Sequence, residues 1–338
     1  MKTVLVTGAT GFLGRHLVER LTAQREKETE GLALRLLCRT RPGWLADTSL
    51  EIIEGDIRDP RAVERAVRGA AEIYHLAGVV SRRPERAATL YDTHIRGTRN
   101  VCESALQHGK PKVVLVSSSG TLAASRQPVM HTEEAPYTVE LGGRWPYYLS
   151  KIYQEKLALA YYAHRQLPIV VVNPSLLLGS GDDRLSSTRD VKLFLEGHFL
   201  NVPSGGLNFV DVRDAAEALV RAMQTGVPGR RYLVGGHNMT IAEFFELAAR
   251  VSGQRPPRFH LPESWARGGA AVLRWLYRLV GQRYPVDDIT IEMGYRFWYF
   301  ESARARRELG FQPRPAEETL RDTVAYLRQR ATRRTKGS

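Results

Sequence analysis

Cysteine is scarce: the 338 residues hold two, Cys38 and Cys102, far apart in the chain. Two are too few for a disulfide framework or a thiolate zinc site, so no metal is expected, and they suit a reducing compartment. Long apolar runs are missing too. No uncharged hydrophobic stretch approaches the roughly 18 residues that read as a membrane span. The first apolar run begins by residue 3, which leaves no room for a signal peptide and makes a cytoplasmic location the expectation. Internal repeats are absent, and so is any nucleic-acid-binding motif. The net charge of +13 therefore reads as arginines scattered among acids on solvated helix faces. Five of the cations, Arg328, Arg330, Arg333, Arg334 and Lys336, lie in a stretch without acids. That stretch, 328–338, reads as a frayed basic tail.

What the chain does have is alternation. Short apolar runs predict strands at 3–6, 33–38, 51–54, 72–75, 112–117 and 168–172. Between them, helical spacing predicts helices at 12–24, 60–68, 87–108 and 147–165. Such alternation implies right-handed βαβ units and an α/β fold with a doubly wound parallel sheet of the Rossmann type. Val113-Val114-Leu115-Val116 and Ile169-Val170-Val171-Val172 have the unbroken apolar character of strands covered on both faces. After about residue 173 the pattern changes to glycine-rich loops, a helix at 211–224, a strand at 231–234 and a helix at 240–252. Thr240 and Glu243 form a capping box for the last of these. The expected organisation is a dinucleotide domain over 1–173, a smaller substrate lobe over 174–327 partly interleaved with the sheet, and the tail.

The first strand, Val4-Leu5-Val6, runs into Thr7-Gly8-Ala9-Thr10-Gly11-Phe12-Leu13-Gly14 and then into a helical pattern of Leu13, Leu17 and Leu21. Gly8 permits an unusual turn, Gly11 lets a pyrophosphate approach the backbone, and Gly14 lets helix and strand pack closely. The helix N-terminus then offers free N–H groups to phosphates. Strand, turn and helix in this order make a dinucleotide site the leading hypothesis over a plain strand–helix turn. The second strand, Leu34-Arg35-Leu36-Leu37-Cys38, is followed by Arg39-Thr40-Arg41 and not by an acid. An acid there would bind the ribose hydroxyl of NAD, whereas an arginine accommodates the 2′-phosphate of NADP. Arg39, with Arg41 as helper, therefore favours NADP(H), with NAD(H) as the alternative.

Tyr147 and Lys151 lie four apart at the start of a helical stretch and share one face. Tyr148 has Ile at the corresponding position. A neighbouring ammonium is expected to lower the tyrosine pKa from its usual value near 10, fitting Tyr147 to exchange a proton with a carbonyl or alcohol oxygen. Ser117-Ser118-Ser119 closes an apolar strand at the end where open α/β sheets bind ligands. Ser119 is the first choice as partner for the substrate oxygen and Ser118 the second. Tyr-x-x-x-Lys alone is common in helices. Its combination with the glycine turn and the serine cluster is what points to catalysis.

With these motifs in hand, the chain resembles the extended short-chain dehydrogenases/reductases, the epimerase/dehydratase superfamily. Thr7 to Gly14, Gly55-Asp56-Ile57, His75-Leu76-Ala77-Gly78, the set Ser119, Tyr147 and Lys151, Asn173-Pro174-Ser175 and Phe209-Val210-Asp211 carry the resemblance. Within that superfamily it is similar to the dihydroflavonol 4-reductase and 3β-hydroxysteroid dehydrogenase-like branch, through Ser117–Thr121, Trp298-Tyr299-Phe300 and Glu308-Leu309-Gly310-Phe311. The resemblance implies catalysis by Ser119, Tyr147 and Lys151. It implies cofactor contacts from Gly8, Thr10, Gly11, Phe12, Leu13, Gly14, Asp56, Ile57, Leu76, Ala77, Gly78, Ser117, Lys151, Pro174, Ser175 and Leu176, beside Arg39. Relatives are often dimers through the segments here at 87–108 and 147–165, and some are monomers, so a homodimer is one of two states the resemblance allows. Two departures stand out: His94 replaces a common Asn, and Leu122-Ala123-Ala124 replaces the Asp-Glu pair of sugar dehydratases.

Three functions are weighed. The first is an NAD(P)H-dependent reductase of a ketone or aldehyde on a hydrophobic small molecule, or the reverse oxidation of a secondary alcohol. The second is a nucleotide-sugar epimerase with tightly bound NAD, whose substrate diphosphate would call on Arg184, Arg189, Arg230 or Arg231. The third is a non-catalytic cofactor sensor, against which the Ser–Tyr–Lys set argues. Most of the aromatics between Trp265 and Phe300 read as ordinary core. Residues 264–281 form a basic amphipathic pattern. Its plain reading is a helix packed on its own lobe; the others are a lid on the pocket or a membrane-surface helix.

Overall fold

The computed structural model describes residues 2–25, 31–41, 43 and 50–336. Its main sheet is built from β1 (Lys2–Thr7), β2 (Leu32–Cys38), β3 (Glu51–Glu54), β4 (Glu72–His75), β5 (Lys112–Val116), β6 (Ile169–Pro174) and β9 (Arg231–Val234). All pairings are parallel, in the order β3-β2-β1-β4-β5-β6-β9. A second sheet joins β7 (Leu176–Leu178), β8 (Gly206–Asp211) and β10 (His237–Thr240), with β8 in the middle. β9 comes from the second half of the chain yet closes the edge of the first sheet.

The helices are α1 (Phe12–Arg25), α2 (Pro60–Val67), α3 (Ala87–Tyr91), α4 (Gly97–Gln107), α5 (Val139–Gly142), α6 (Pro146–Arg165) and α7 (Arg189–Leu195) in the first part. In the second part they are α8 (Val212–Thr225), α9 (Ile241–Ser252), α10 (Glu263–Leu279), α11 (Asp288–Gly294), α12 (Ala303–Leu309) and α13 (Ala316–Lys336).

The period of two along each strand divides the core. Val4, Val6, Leu34, Leu36, Val114 and Val170 face α1, α8 and α12. Leu5, Ile73, Val113, Leu115, Ile169 and Val171 face α2, α4 and α6. A third cluster unites Leu178, Phe209, Phe244, Phe245, Leu320 and Val324 between the small sheet, α9 and α13. The chain order reverses between β1 and β4, which creates the crevice at the carboxyl ends of the strands where such sheets take ligands.

Three elements differ from their sequence expectation. The stretch 87–108 is not one continuous helix: a π-type turn over Asp92–Arg96 separates α3 from α4 and carries the buried His94. Such insertions often mark functional positions. The expected frayed tail is helical through Lys336, because Leu320, Val324 and Leu327 anchor α13 in the third cluster and Arg328 donates to the Ser252 carbonyl. The plain reading of 264–281 also fails in part. Only one flank of α10 packs, with Ala270 buried, while Trp265, Val272, Trp275, Leu276 and Leu279 are exposed. Among the described residues no helix is long and apolar enough to cross a membrane.

Candidate active site

The glycine turn has the three expected properties. Gly8 has φ of +76°, and a Cβ there would sit 2.6 Å from the Ala77 nitrogen, so the turn lies tight against the end of β4. A Cβ on Gly14 would fall 2.2 Å from the Gly8 carbonyl oxygen, so glycine is what lets α1 start this close to β1. At Gly11 the only neighbour within 4 Å would be that same carbonyl, at 3.2 Å. The remaining space above Gly11 faces the α1 N-terminus, where Phe12 and Leu13 begin the helix and bury their own side chains. This cradle fits a dinucleotide pyrophosphate.

Around it, β4 is followed by Leu76, Ala77 and Gly78. The Ala77 N–H donates to Thr7 Oγ1 at 3.3 Å. A Cβ on Gly78 would lie 3.0 Å from His94 Nε2 and 3.6 Å from Lys151 Nζ. Gly78 is therefore the bare floor beside the lysine. Asp56 receives three bonds from Arg58, through N, Nε and Nη2, each 2.9 Å. These bonds, ahead of the opposing effect of burial, hold its carboxyl below the usual range, with Arg39 contributing a further positive field. Arg39 is exposed just beyond β2. Its suggested helper Arg41 is exposed as well. Ile57 packs over Gly97 and accepts the Asn100 amide at 3.0 Å. At the end of β6, Pro174 closes the strand and the Ser175 N–H donates to Val234 at 3.0 Å. The Ser175 hydroxyl and Asn173 Oδ1 are buried without a hydrogen-bond partner, as polar atoms awaiting a ligand would be. Leu176 opens β7 beside them.

The chemistry-bearing residues converge at the start of α6, whose N-terminal turn is set by Pro146. The Tyr147 phenol lies close to the Ser118 side chain, which opposes part of the rise in its pKa. Ser118, the second choice as partner for the substrate oxygen, is the serine beside the phenol. Ser117 and Ser118 both lie at the strand exit, and the Ser117 hydroxyl donates to Glu155 at 2.7 Å. At Ser119 the chain turns into a 3₁₀ turn, where its carbonyl accepts from Leu122 and Ala123 and the residue is buried. The Ser117 hydroxyl points into the protein toward Glu155.

Lys151 also departs from expectation. Its Nζ donates to the Val116 carbonyl and to Gln154 Oε1, both at 2.9 Å. Burial lowers its pKa to about 7. Burial likewise pushes the Tyr147 phenol up to about 12, with Ser118 pulling the other way. The phenol is thus raised where a lowering by Lys151 was expected, because desolvation is the largest influence on it.

Beneath the lysine runs a buried polar chain. Gln154 Nε2 donates to Thr98 Oγ1 at 2.8 Å. Thr98 meets His75 Nε2 at 2.9 Å, and His75 Nδ1 meets Thr7 Oγ1 at 2.8 Å. His94 takes over the hydrogen bonding that its replacement of Asn had put in question. Its Nε2 accepts the Val79 N–H at 3.1 Å, which leaves the proton on Nδ1 to reach Ser150 Oγ at 2.8 Å; Ser150 donates on to the Tyr147 carbonyl at 2.7 Å. Burial, helped by the Lys151 charge, lowers both imidazoles, His75 to about 3.

Sequence reasoning missed two groups. Glu155, fully buried on α6, accepts from Ser117, Thr121 and Asn173. That network turns Asn173 inward and locks the serine strand end to β6. The second group is an aromatic wall beside the phenol. The Tyr148 ring lies 5.1 Å from Tyr147 and 5.2 Å from Trp298, and Trp145 lies 5.5 Å from Trp298. Gly120 makes room, since a Cβ there would collide with Tyr148 at 2.1 Å. The Trp298 motif and the Tyr147-Tyr148 pair signalled the aromatics, but the fold alone joins them. Leu122, Ala123 and Ala124 are buried and offer no carboxylates. Three of the four arginines proposed for a diphosphate are engaged elsewhere, Arg189 with Asp287, Arg230 with Glu308, and Arg231 with Glu155 and the Glu133 carbonyl, while Arg184 is exposed.

Comparison with known proteins agrees with this geometry. A model of the NAD dependent epimerase/dehydratase family matches residues 4–235. The sterol demethylase protein B of Methylococcus capsulatus is 31% identical, over 97% of this chain and 99% of that protein. A putative dihydroflavonol 4-reductase of Synechocystis is 28% identical, over 95% and 93% respectively. The crystal structure of gox2253 superposes with a TM-score of 0.81 at 30% identity, covering 98% of this chain and 99% of that one.

Proposed function

The chain belongs to the NAD-dependent epimerase/dehydratase family, whose members bind NAD(P), and from that membership we propose that it is a carbonyl reductase. Its substrate in this reading is a flat, apolar ketone or aldehyde, and its cofactor is NADPH. The nicotinamide supplies the hydride. Tyr147 gives its phenolic proton to the carbonyl oxygen as the carbon is reduced, and the same steps run backward for a secondary alcohol. Ser118 donates to that oxygen and orients it. Lys151, beside the bare floor at Gly78, holds the nicotinamide ribose. Arg39 receives the 2′-phosphate, and the turn from Gly8 to Gly14 holds the pyrophosphate.

The observation that carries this reading is the buried Tyr147 phenol at the C-terminal edge of the sheet, beside Ser118 and the Trp145, Tyr148 and Trp298 wall. A phenol held at about 12 keeps its proton at neutral pH, which suits an acid that must donate when charge develops on oxygen. The clustered aromatics, tilted and edge-on to one another, suit a planar ring system. The two named relatives, one for a sterol and one for a dihydroflavonol, point to the same class. The engaged arginines and the missing acid pair weigh against a nucleotide-sugar substrate.

A panel of sterol-like and flavonoid-like ketones, followed by loss of NADPH absorbance, tests the proposal. Stoichiometric oxidation with one of them, reduced by about 10²–10⁴-fold in Tyr147→Phe, is the expected result. Tightly copurifying NAD and interconversion of nucleotide sugars without net cofactor use would replace this reading with an epimerase.

A further inference from the structure

The outward face of α10 has no counterpart in the site. Trp265, Val272, Trp275, Leu276 and Leu279 recur at helical spacing and form one apolar stripe. Trp265 is 72% exposed, Trp275 58% and Leu279 64%. The opposite flank holds α10 to its lobe. Arg296 pairs with Glu263 at 2.9 Å, and Arg274 pairs with Asp288 at 2.7 Å. The stripe is thus presented on a tethered helix, and it continues into the exposed Phe259 on the segment just before it. That segment is pinned, because the Val202 N–H donates to the Phe259 carbonyl at 2.7 Å.

Charge selects the occupant. Residues 253–284 hold six arginines against one glutamate, a net +5. Arg255, Arg258, Arg267, Arg278 and Arg283 are exposed. On a helical projection Arg267 and Arg278 fall together to one side of the apolar stripe. Two copies of this face would bring like charges together, whereas an anionic lipid surface neutralises them. Tryptophans beside arginines on a helix too short and too polar to span are the pattern of a helix lying in the headgroup layer.

We propose that α10, with the segment before it, docks the protein reversibly on anionic bilayers, its apolar stripe in the acyl–headgroup boundary and its arginines at the phosphates. The binding stands apart from the reductase reading. One consequence does rest on that reading: α10 packs on α11, and α11 carries Met293, whose carbonyl accepts the Trp298 indole N–H at 3.1 Å, so a lipid-soluble ketone would leave the bilayer close to the aromatic wall.

Sedimentation of the full chain with phosphatidylcholine vesicles, with and without phosphatidylglycerol, tests the proposal. Binding to the anionic vesicles, a blue shift of tryptophan emission and release at high salt are expected. The Trp265→Ser/Trp275→Ser/Leu279→Ser variant should lose roughly tenfold or more of that binding, and Arg267→Glu/Arg278→Glu should lose it without touching the stripe. Circular dichroism and dinucleotide binding should stay unchanged in both. No binding by the wild type, or equal binding by wild type and both variants, overturns the proposal. A concentration-dependent dimer that the stripe variant abolishes would overturn it in favour of a second copy.

Discussion

Lys151 donates to Gln154 Oε1 at 2.9 Å, and Gln154 passes the contact to Thr98 at 2.8 Å. The lysine is therefore the near end of a buried chain that finishes at Thr7, the residue before the glycine turn. Burial draws its pKa to about 7, so in the free enzyme the ammonium loses its proton as pH rises through neutrality. The kcat/KM for the cofactor, which reports free-enzyme groups, should fall on the alkaline side of that value. Gln154→Glu places a negative charge at hydrogen-bond distance and should move the fall to higher pH, while Gln154→Leu should move it lower. A pH profile unchanged in both variants would deny the lysine this role.

Ser118 and Ser119 separate cleanly. Ser118→Ala removes the hydroxyl beside Tyr147 and should cost about 10- to 1000-fold in kcat, by analogy with loss of an oxyanion donor. Ser119→Ala should stay within about threefold, as a variant that loses no contact to the reacting atoms. Steady-state rates on any carbonyl substrate decide between them, and the reverse ranking would restore Ser119.

Arg39 is exposed and placed beside Asp56 beyond β2. Arg39→Ala should raise KM for NADPH by roughly tenfold or more, the order expected for a lost charge-assisted phosphate contact, and leave KM for NADH nearly unchanged. The ratio of the two constants is the measurement. An NADH preference already present in the wild type would point to NAD.

The two buried imidazoles govern acid stability. His75 and His94 have folded pKa values below the ordinary 6.5, so the unfolded chain binds protons that the folded chain refuses. Their contribution to stability is complete above about 6.5 and declines as pH falls, for His75 until about 3, at about 1.4 kcal/mol per pH unit for that histidine. Denaturant titrations across this window should show that slope. His94→Asn, which keeps a polar side chain but cannot take up a proton, should remove one histidine's share.

The parallel sheet and the glycine turn were legible because local pattern carries them: buried strands such as Ile169–Val172 read as unbroken apolar runs, and Gly8 to Gly14 follow one of them directly. Tyr147 and Lys151 were legible for the same reason, being one helical turn apart. The choice between Ser119 and Ser118 was not legible, because the end of β5 depends on where the 3₁₀ turn at Ser119 begins, which neighbouring residues do not reveal. The shifts at Tyr147 and Lys151 were missed because burial is a property of the packed fold. Glu155 and the Trp145–Tyr148–Trp298 wall join segments distant in sequence, and β7, β8 and β10 are short strands whose pairing only the tertiary structure supplies.

The central claim is net hydride transfer with Tyr147 as the proton donor. NADPH deuterated at its transferable position, incubated with a reactive ketone from the panel, tests it directly by mass spectrometry of the product. The account predicts an alcohol carrying one deuterium per NADPH consumed, formed at a small fraction of the rate by Tyr147→Phe with cofactor binding retained. An unlabelled product, or a Tyr147→Phe variant turning over at near the wild-type rate, would contradict it.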